Sequence, residues 1–177
     1  IIEDMIYSSA VDEVVALIKA TEDPEYIKEK WLKDVKKMHA LGIYGDRAVA
    51  LIKATGDPEY IKECIENVKK MQALGIEGRN AVILIKATKD IEYIKKLLKN
   101  KEKTKALNIQ DFHAIELIRT VEEKEPGYIK EYIKNHIKNR KINELESTFL
   151  AQVIIMTGDA EFIDYCENSD VLNHETR

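Results

Sequence analysis

Ala50-Leu51-Ile52-Lys53-Ala54-Thr55-Gly56-Asp57-Pro58-Glu59-Tyr60-Ile61 is the stretch on which the fold turns. Its opening recurs upstream as Ala16-Leu17-Ile18-Lys19-Ala20-Thr21 and downstream as Ile83-Leu84-Ile85-Lys86-Ala87-Thr88. Weaker copies are Leu117-Ile118-Arg119 and Ile154-Ile155-Met156-Thr157. Its ending, Tyr60-Ile61, has counterparts in Tyr26-Ile27, Tyr93-Ile94, Tyr128-Ile129 and Phe162-Ile163, which places the aromatics 34, 33, 35 and 34 residues apart. A third marker, Leu41-Gly42-Ile43, returns as Leu74-Gly75-Ile76 and Leu107-Asn108-Ile109. Three markers in one order at one period define an internal repeat of about 33 residues.

Each repeat reads as two helices. The first is short, as in Arg47 to Ala54, and nearly all its residues are apolar or small, so it needs cover on several sides. The second is longer and amphipathic, with Ile61, Cys64, Ile65, Val68 and Met71 at the spacing of one buried face. Asp23-Pro24-Glu25 and Asp57-Pro58-Glu59 supply an N-cap acceptor, a proline at the first helical position and a carboxylate at the positive helix end. Asp90 and Asp159 hold the same cap position. Gly42 and Gly75, with Asn108 as substitute, suit the left-handed residue that ends a helix. The fourth repeat carries extra residues from Glu122 to Gly127 and is expected to have a shorter second helix. Lys101 stands where its neighbours carry Val35 and Val68, which predicts looser packing there. Ile1, Ile2, Met5 and Ile6 predict a helix against the first repeat, and Ser169 to Arg177 a frayed tail. The expected fold class is all-α, an α-solenoid of four to five stacked helix-loop-helix repeats in a single domain. The repeats are placed at about 11–43, 44–76, 77–109 and 110–142, with a partial copy at 143–168.

Composition agrees with a folded helical protein. The chain has 177 residues, 45% hydrophobic and 34% charged, with three prolines and one tryptophan. No apolar run approaches the roughly 18 residues of a membrane span. The first residue is Ile, and the chain reads as a piece of a longer protein. Net charge is −4, which argues against a nucleic-acid partner, since non-specific binding needs many uncompensated cations. The charge is uneven: residues 81–141 hold 15 Lys and Arg against 9 Asp and Glu, and the remainder 13 against 23.

Nothing in the sequence assembles a reaction centre. His39, His113, His136 and His174 have no partner at metal-ligand spacing. His39 aligns with Gln72 and is expected on a helix surface. Cys64 and Cys166 each lie four residues after a repeat aromatic, in the slot of Leu97 and Tyr132, and are expected to be buried, unreactive thiols. Three repeats apart, they are beyond disulfide reach, which points to a reducing compartment. No phosphate loop, dinucleotide turn or nucleophile elbow is present. The expectation is therefore no catalytic residue, no metal and no cofactor.

The 33-residue period and two local motifs resemble the ankyrin repeat. Gly56-Asp57-Pro58-Glu59-Tyr60-Ile61-Lys62 and Lys89-Asp90-Ile91-Glu92-Tyr93-Ile94-Lys95-Lys96-Leu97-Leu98 are similar to that family's second-helix motif. Gly45 to Leu51 and Gly78 to Leu84 echo its opening. The likeness spans about residues 11 to 168, without the family's Thr-Pro and His positions and with a second helix that runs on through Met71. The resemblance implies a non-catalytic protein-binding scaffold. The long second helix also looks like the repeats of transcription-activator-like effectors and mitochondrial termination factors. That likeness implies a nucleic-acid-binding array, although Asp57-Pro58-Glu59 would repel phosphate at the matching spot. A third reading is a regulatory solenoid of an enzyme whose catalytic domain lies elsewhere.

Two sets of cations mark candidate partner-binding residues. Lys19, Lys53, Lys86 and Arg119 share one repeat position. Lys95, Lys99 and Lys103, with Lys134, Lys138 and Arg140, form a basic cluster in the third and fourth repeats. Either set suits an acidic protein surface, and the cluster also suits anionic lipid headgroups. The abundance of Ile, Lys and Asn is that of an AT-rich genome, where ankyrin-like arrays occur in effectors of intracellular bacteria. The cytoplasm, or a host cytosol for a secreted effector, is the compartment expected on that analogy.

Overall fold

Acidic caps and apolar runs set the helix boundaries. The computed structural model describes residues 11–109, 111–138 and 147–168, and every regular element among them is a helix. The first segment comprises α1 (Val11–Lys19), α2 (Pro24–Ile27), a π-helical turn (Lys28–Leu32) and α3 (Val35–Ala40). The second holds α4 (Asp46–Ala54), α5 (Pro58–Glu66) and α6 (Val68–Ala73). The third holds α7 (Arg79–Ala87), α8 (Ile91–Lys99) and α9 (Lys101–Ala106). The remaining helices are α10 (Asp111–Lys124), α11 (Tyr128–Lys138), α12 (Ser147–Ile155) and α13 (Ala160–Asn168). The helix expected at Ile1 to Ile6 and the tail from Ser169 lie outside the described residues.

The caps expected at Asp23, Asp57 and Asp159 are in place. Asp23 accepts the Tyr26 N–H at 3.0 Å, Asp57 that of Tyr60 at 3.2 Å, and Asp159 that of Phe162 at 3.0 Å. Gly42, Gly75 and Asn108 have φ of +74°, +65° and +53°. Thr21, Thr55, Thr88 and Thr157 close the first helices by donating to the carbonyl three residues back, at 2.6–2.7 Å.

The second helix of the first three segments is not continuous, and here the expectation is corrected. α5 stops at Glu66, Asn67 turns the backbone to φ −86° and ψ 78°, and its side chain accepts the Lys70 N–H at 3.1 Å to start α6. Asp34 and Asn100 do the same for Lys37 at 2.9 Å and Lys103 at 3.0 Å. The side-chain oxygen replaces the backbone acceptor lost at the break, a cap worth about 1 kcal/mol. The apolar spacing survives the break, with Met71 buried and Val68 half-buried. Hydrophobic periodicity therefore hides it. The first segment has one extra residue between Tyr26 and Asp34 compared with Tyr60 to Asn67. The chain absorbs it as the π-helical turn, with Lys33 N–H donating to Lys28 O at 3.0 Å.

In the fourth segment the described second helix spans 128–138, against 58–73 for α5 and α6 together. α11 has 11 residues against nine in α5 and α8. The helix continues through Asn135, so an Asx residue in that slot does not by itself break it. The looser packing expected around Lys101 has its counterpart in α9, which buries no side chain, whereas α3 and α6 bury Met38 and Met71.

The described helices gather into two compact units, residues 11–90 with 100–109 and residues 91–99 with 111–138 and 147–168. In the first, α1 packs on α4, and α4 and α5 pack on α7. Ala48, Val49, Leu51 and Ile52 of α4 are all buried, as are Ala81, Val82, Leu84 and Ile85 of α7. Gly45 N–H donates to Leu74 O at 2.7 Å and Gly78 N–H to Leu107 O at 2.8 Å, linking successive segments. Both glycines hold a positive φ with ψ near −125° (59°/−127° and 54°/−122°), a region that strongly favours glycine. Gln72 adds a side-chain bond to Ala106 O at 2.8 Å, and exposed His39 meets Ala73 O in the same manner. In the second unit α10 packs against α8, α11 and α12, and α13 packs on α12.

The residue after each of these threonines is left-handed: Glu22 at +50°, Gly56 at +61°, Lys89 at +55° and Gly158 at +61°. A side chain there costs about 1 kcal/mol that glycine avoids. Glu22→Gly is expected to stabilise the fold by about 0.5 kcal/mol, after the added unfolded-state entropy of glycine. The check is the urea midpoint; a lower midpoint would show that the left-handed turn carries no strain.

Candidate functional site

The helices sort the lysines into two classes by what they place beside them. One class follows the repeat aromatic, at Lys28, Lys62, Lys95 and Lys130. In the first unit Lys28 Nζ meets Glu25 at 2.8 Å and Asp57 at 3.0 Å, and Lys62 meets Glu59 at 2.8 Å and Asp90 at 2.6 Å. In the second unit Lys95 meets Glu92 at 3.0 Å and Glu125 at 2.8 Å, and Lys130 pairs with Asp159. Each ammonium thus reaches an acid at the head of the following segment's second helix. Lys28 also sits 5.1 Å from the Tyr60 ring centre, and Lys95 5.9 Å from that of Tyr128.

Asp57 and Asp159 have two duties, capping a helix and holding a lysine. In the fourth segment two glutamates divide them. The Glu122 carboxylate accepts the Gly127 and Ile129 N–H groups at 2.9 and 2.8 Å, while Glu125 takes Lys95. The Lys28 ammonium, then the Tyr60 N–H, holds the Asp57 carboxyl below its ordinary value; Lys130 and the Phe162 N–H do so for Asp159. This class of cations is neutralised internally.

The second class lines a cleft of about 530 Å³ between α4, the start of α5, and α7. Lys53, Lys86 and Lys89 stand around it, over Pro58, Ile61, Ile83 and Ala87. All three lysines are exposed, and none makes an ion pair among the described residues. The reason is local. The carboxylates nearest in the chain, Asp57, Glu59 and Asp90, are already held by Lys28 and Lys62. The negative ends of α4 and α7 account for a cation at Lys53 and Lys86. They do not account for Lys89, which lies beyond α7 in the left-handed region, or for the apolar floor.

The structure distributes the sequence candidates accordingly. Lys53 and Lys86 share the cleft. Lys19 is exposed at the end of α1 and is not among the residues lining it. Arg119 is exposed on α10 in the second unit, as is Lys99 at the end of α8. Lys95 and Lys103 are engaged, the latter by Glu66. Lys134 lies 6.0 and 5.9 Å from the Phe162 and Tyr165 ring centres. The Lys138 side chain and Arg140 lie outside the described residues. Lys89 was not singled out by sequence reasoning; its signal is a cation in a slot that favours glycine.

Cys64 and Cys166 are buried and free, as their core slots predict, and burial pushes both thiols up. Among the described residues no helix is long and apolar enough to cross a membrane. Comparison of the chain with protein-family models, curated proteins and solved structures finds no match.

Two expectations follow from these environments. Asp57 and Asp159 are more acidic folded than unfolded, so their contribution is complete above the unfolded range near 3.8. It is lost as pH falls through the lower folded values. The urea midpoint is expected to fall between about pH 5 and pH 2, and Lys28→Met to flatten that fall; an unaltered profile in the variant would dissociate Lys28 from Asp57. Both thiols are expected to react with a maleimide much more slowly in the native protein than in urea. Equal rates would show that the core slots admit reagent.

Proposed function

We propose that the chain is a non-catalytic protein-interaction module, an α-solenoid of ankyrin-like helical units that binds another protein through the cleft between α4 and α7. One observation carries this reading: three uncompensated ammonium groups surround an apolar floor. A concave, largely apolar surface with a few placed polar groups is what ligand sites have in common. The cleft lining holds no carboxylate, histidine or thiol to work with a lysine, so binding explains it better than a reaction does. The recurring backbone links from Gly45 to Leu74 and from Gly78 to Leu107 support stacked units in one register. A cytoplasmic setting, with an effector role in a host cytosol, is the compartment we attach to this reading.

The competing reading is a nucleic-acid-binding array, which the same three cations would suit. The cleft lining opposes it, because no aromatic residue is there for a base to stack on. A photo-crosslinking residue at position 83, with a control at position 36, separates the two in lysate of the source cells. A protein captured from position 83 and not from position 36, and lost in Lys53→Glu/Lys86→Glu, is the expected result. Retention of the chain on immobilised nucleic acid that falls steeply with salt would instead favour the array. No specific capture from position 83 would overturn the module reading.

A further inference from the structure

We infer that the cleft receives an acidic peptide segment carrying one apolar anchor residue. The inference rests on the interaction-module reading and specifies the chemistry of its partner.

Charge complementarity comes first. The cleft presents Lys53, Lys86 and Lys89, and the nearby carboxylates Asp57, Glu59 and Asp90 are turned to Lys28 and Lys62 at 2.6–3.0 Å. An incoming carboxylate therefore meets cations that the fold itself has left without a counter-charge. Shape comes second. A volume of about 530 Å³ suits one or two side chains, and Pro58, Ile61, Ile83 and Ala87 give those side chains an apolar seat. A carboxylate-rich segment with one Leu, Ile or Phe uses both features.

Other anions fit less well. Bases need aromatic faces to stack on, and no aromatic residue lines the cleft. A free phosphate needs converging N–H groups or an open helix start. Here Pro58 removes one N–H from the head of α5, and Asp57 already accepts from Glu59 and Tyr60 at 3.1 and 3.2 Å. The surface is also particular to this place in the repeat. In the register one segment earlier, Ile83 is replaced by Ala50, Gly56 by Glu22 and Lys89 by Gly56. That position has one cation fewer, one carboxylate more and a shallower apolar residue. The site thus belongs to the junction of the second and third segments and not to the repeat as such.

Lys89 provides a test in which stability and binding move in opposite directions. Peptides are selected from a random display library on the full chain, and the enriched sequence is titrated by fluorescence anisotropy against variants. Enrichment of Asp/Glu-rich peptides with one apolar residue is expected. Lys53→Glu and Lys86→Glu should each weaken binding about tenfold, while Lys36→Glu, on exposed α3 surface, leaves it unchanged. Lys89→Gly should weaken binding about threefold and yet raise the urea midpoint, because it relieves the left-handed turn; a general loss of structure cannot produce that combination. Peptides without acidic residues, no enrichment, or affinity indifferent to the three cleft lysines would overturn the inference. So would inorganic phosphate or a short oligonucleotide binding the cleft more tightly than the selected peptide. If the crosslinker at position 83 captures a protein whose contacting segment is not acidic, the inference falls and the module reading stands. If it captures nothing, both fall.

Discussion

Helix α4 buries Ala48, Val49, Leu51 and Ile52, which at 3.6 residues per turn span an arc of about 160°, wider than a single apolar stripe. One partner helix cannot cover such a surface. α1 packs on one side of α4 and α7 packs against it as well, so the second segment is complete only with its neighbours in place. The driving force is the burial of apolar side chains at about 25 cal/mol per Å². Truncating Leu51 or Ile52 to alanine would carry the usual core penalty of about 2–5 kcal/mol. Every other feature of the first unit operates within that demand.

Burial alone does not choose a register, because it has no direction. Directional contacts do that here. Gly45 and Gly78 bring their N–H groups to carbonyls of the following segment, with backbone angles that strongly favour glycine. The Lys28–Asp57 and Lys62–Asp90 pairs add a charge-assisted contact at the same periodic interval. Because Asp57 is also an N-cap, the residue that starts a helix is the residue that docks the preceding one. Local folding and packing are thereby coupled through one carboxylate. The fourth segment, where Glu122 caps and Glu125 pairs, shows that the two duties are chemically separable.

The same pairing divides the protein's charge into used and unused parts. Acids are concentrated at helix starts, and the lysines one turn into those helices neutralise them. Cations that fall outside this arrangement, at the C-terminal ends of α4 and α7 and at Lys89, keep an unopposed charge. Function is then read not from the number of lysines but from which of them the fold leaves over. In the basic cluster of the third and fourth segments, Lys95 and Lys103 are engaged by Glu125 and Glu66, so density of charge along the chain is a poor guide to available charge.

Much of the local structure is legible in the sequence, since it depends on groups a few residues apart. Asp23 and Asp57 as caps, Pro24 and Pro58 as first helical residues, Gly42 and Gly75 as left-handed ends and Cys64 in a core slot all follow from short-range sterics and hydrogen bonding. The break at Asp34, Asn67 and Asn100 is legible too, in a polar residue that recurs every 33 positions, but apolar periodicity runs through it and conceals it. The sequence by itself determined an all-helical chain, its segment period and most helix starts. The tertiary structure alone decided which lysines are neutralised, because Lys28 and Asp57 are 29 residues apart and a Coulomb contact depends on distance in space. It alone brought Lys53, Lys86 and Lys89 around one apolar cleft, because a concave surface exists only after α4, α5 and α7 have packed.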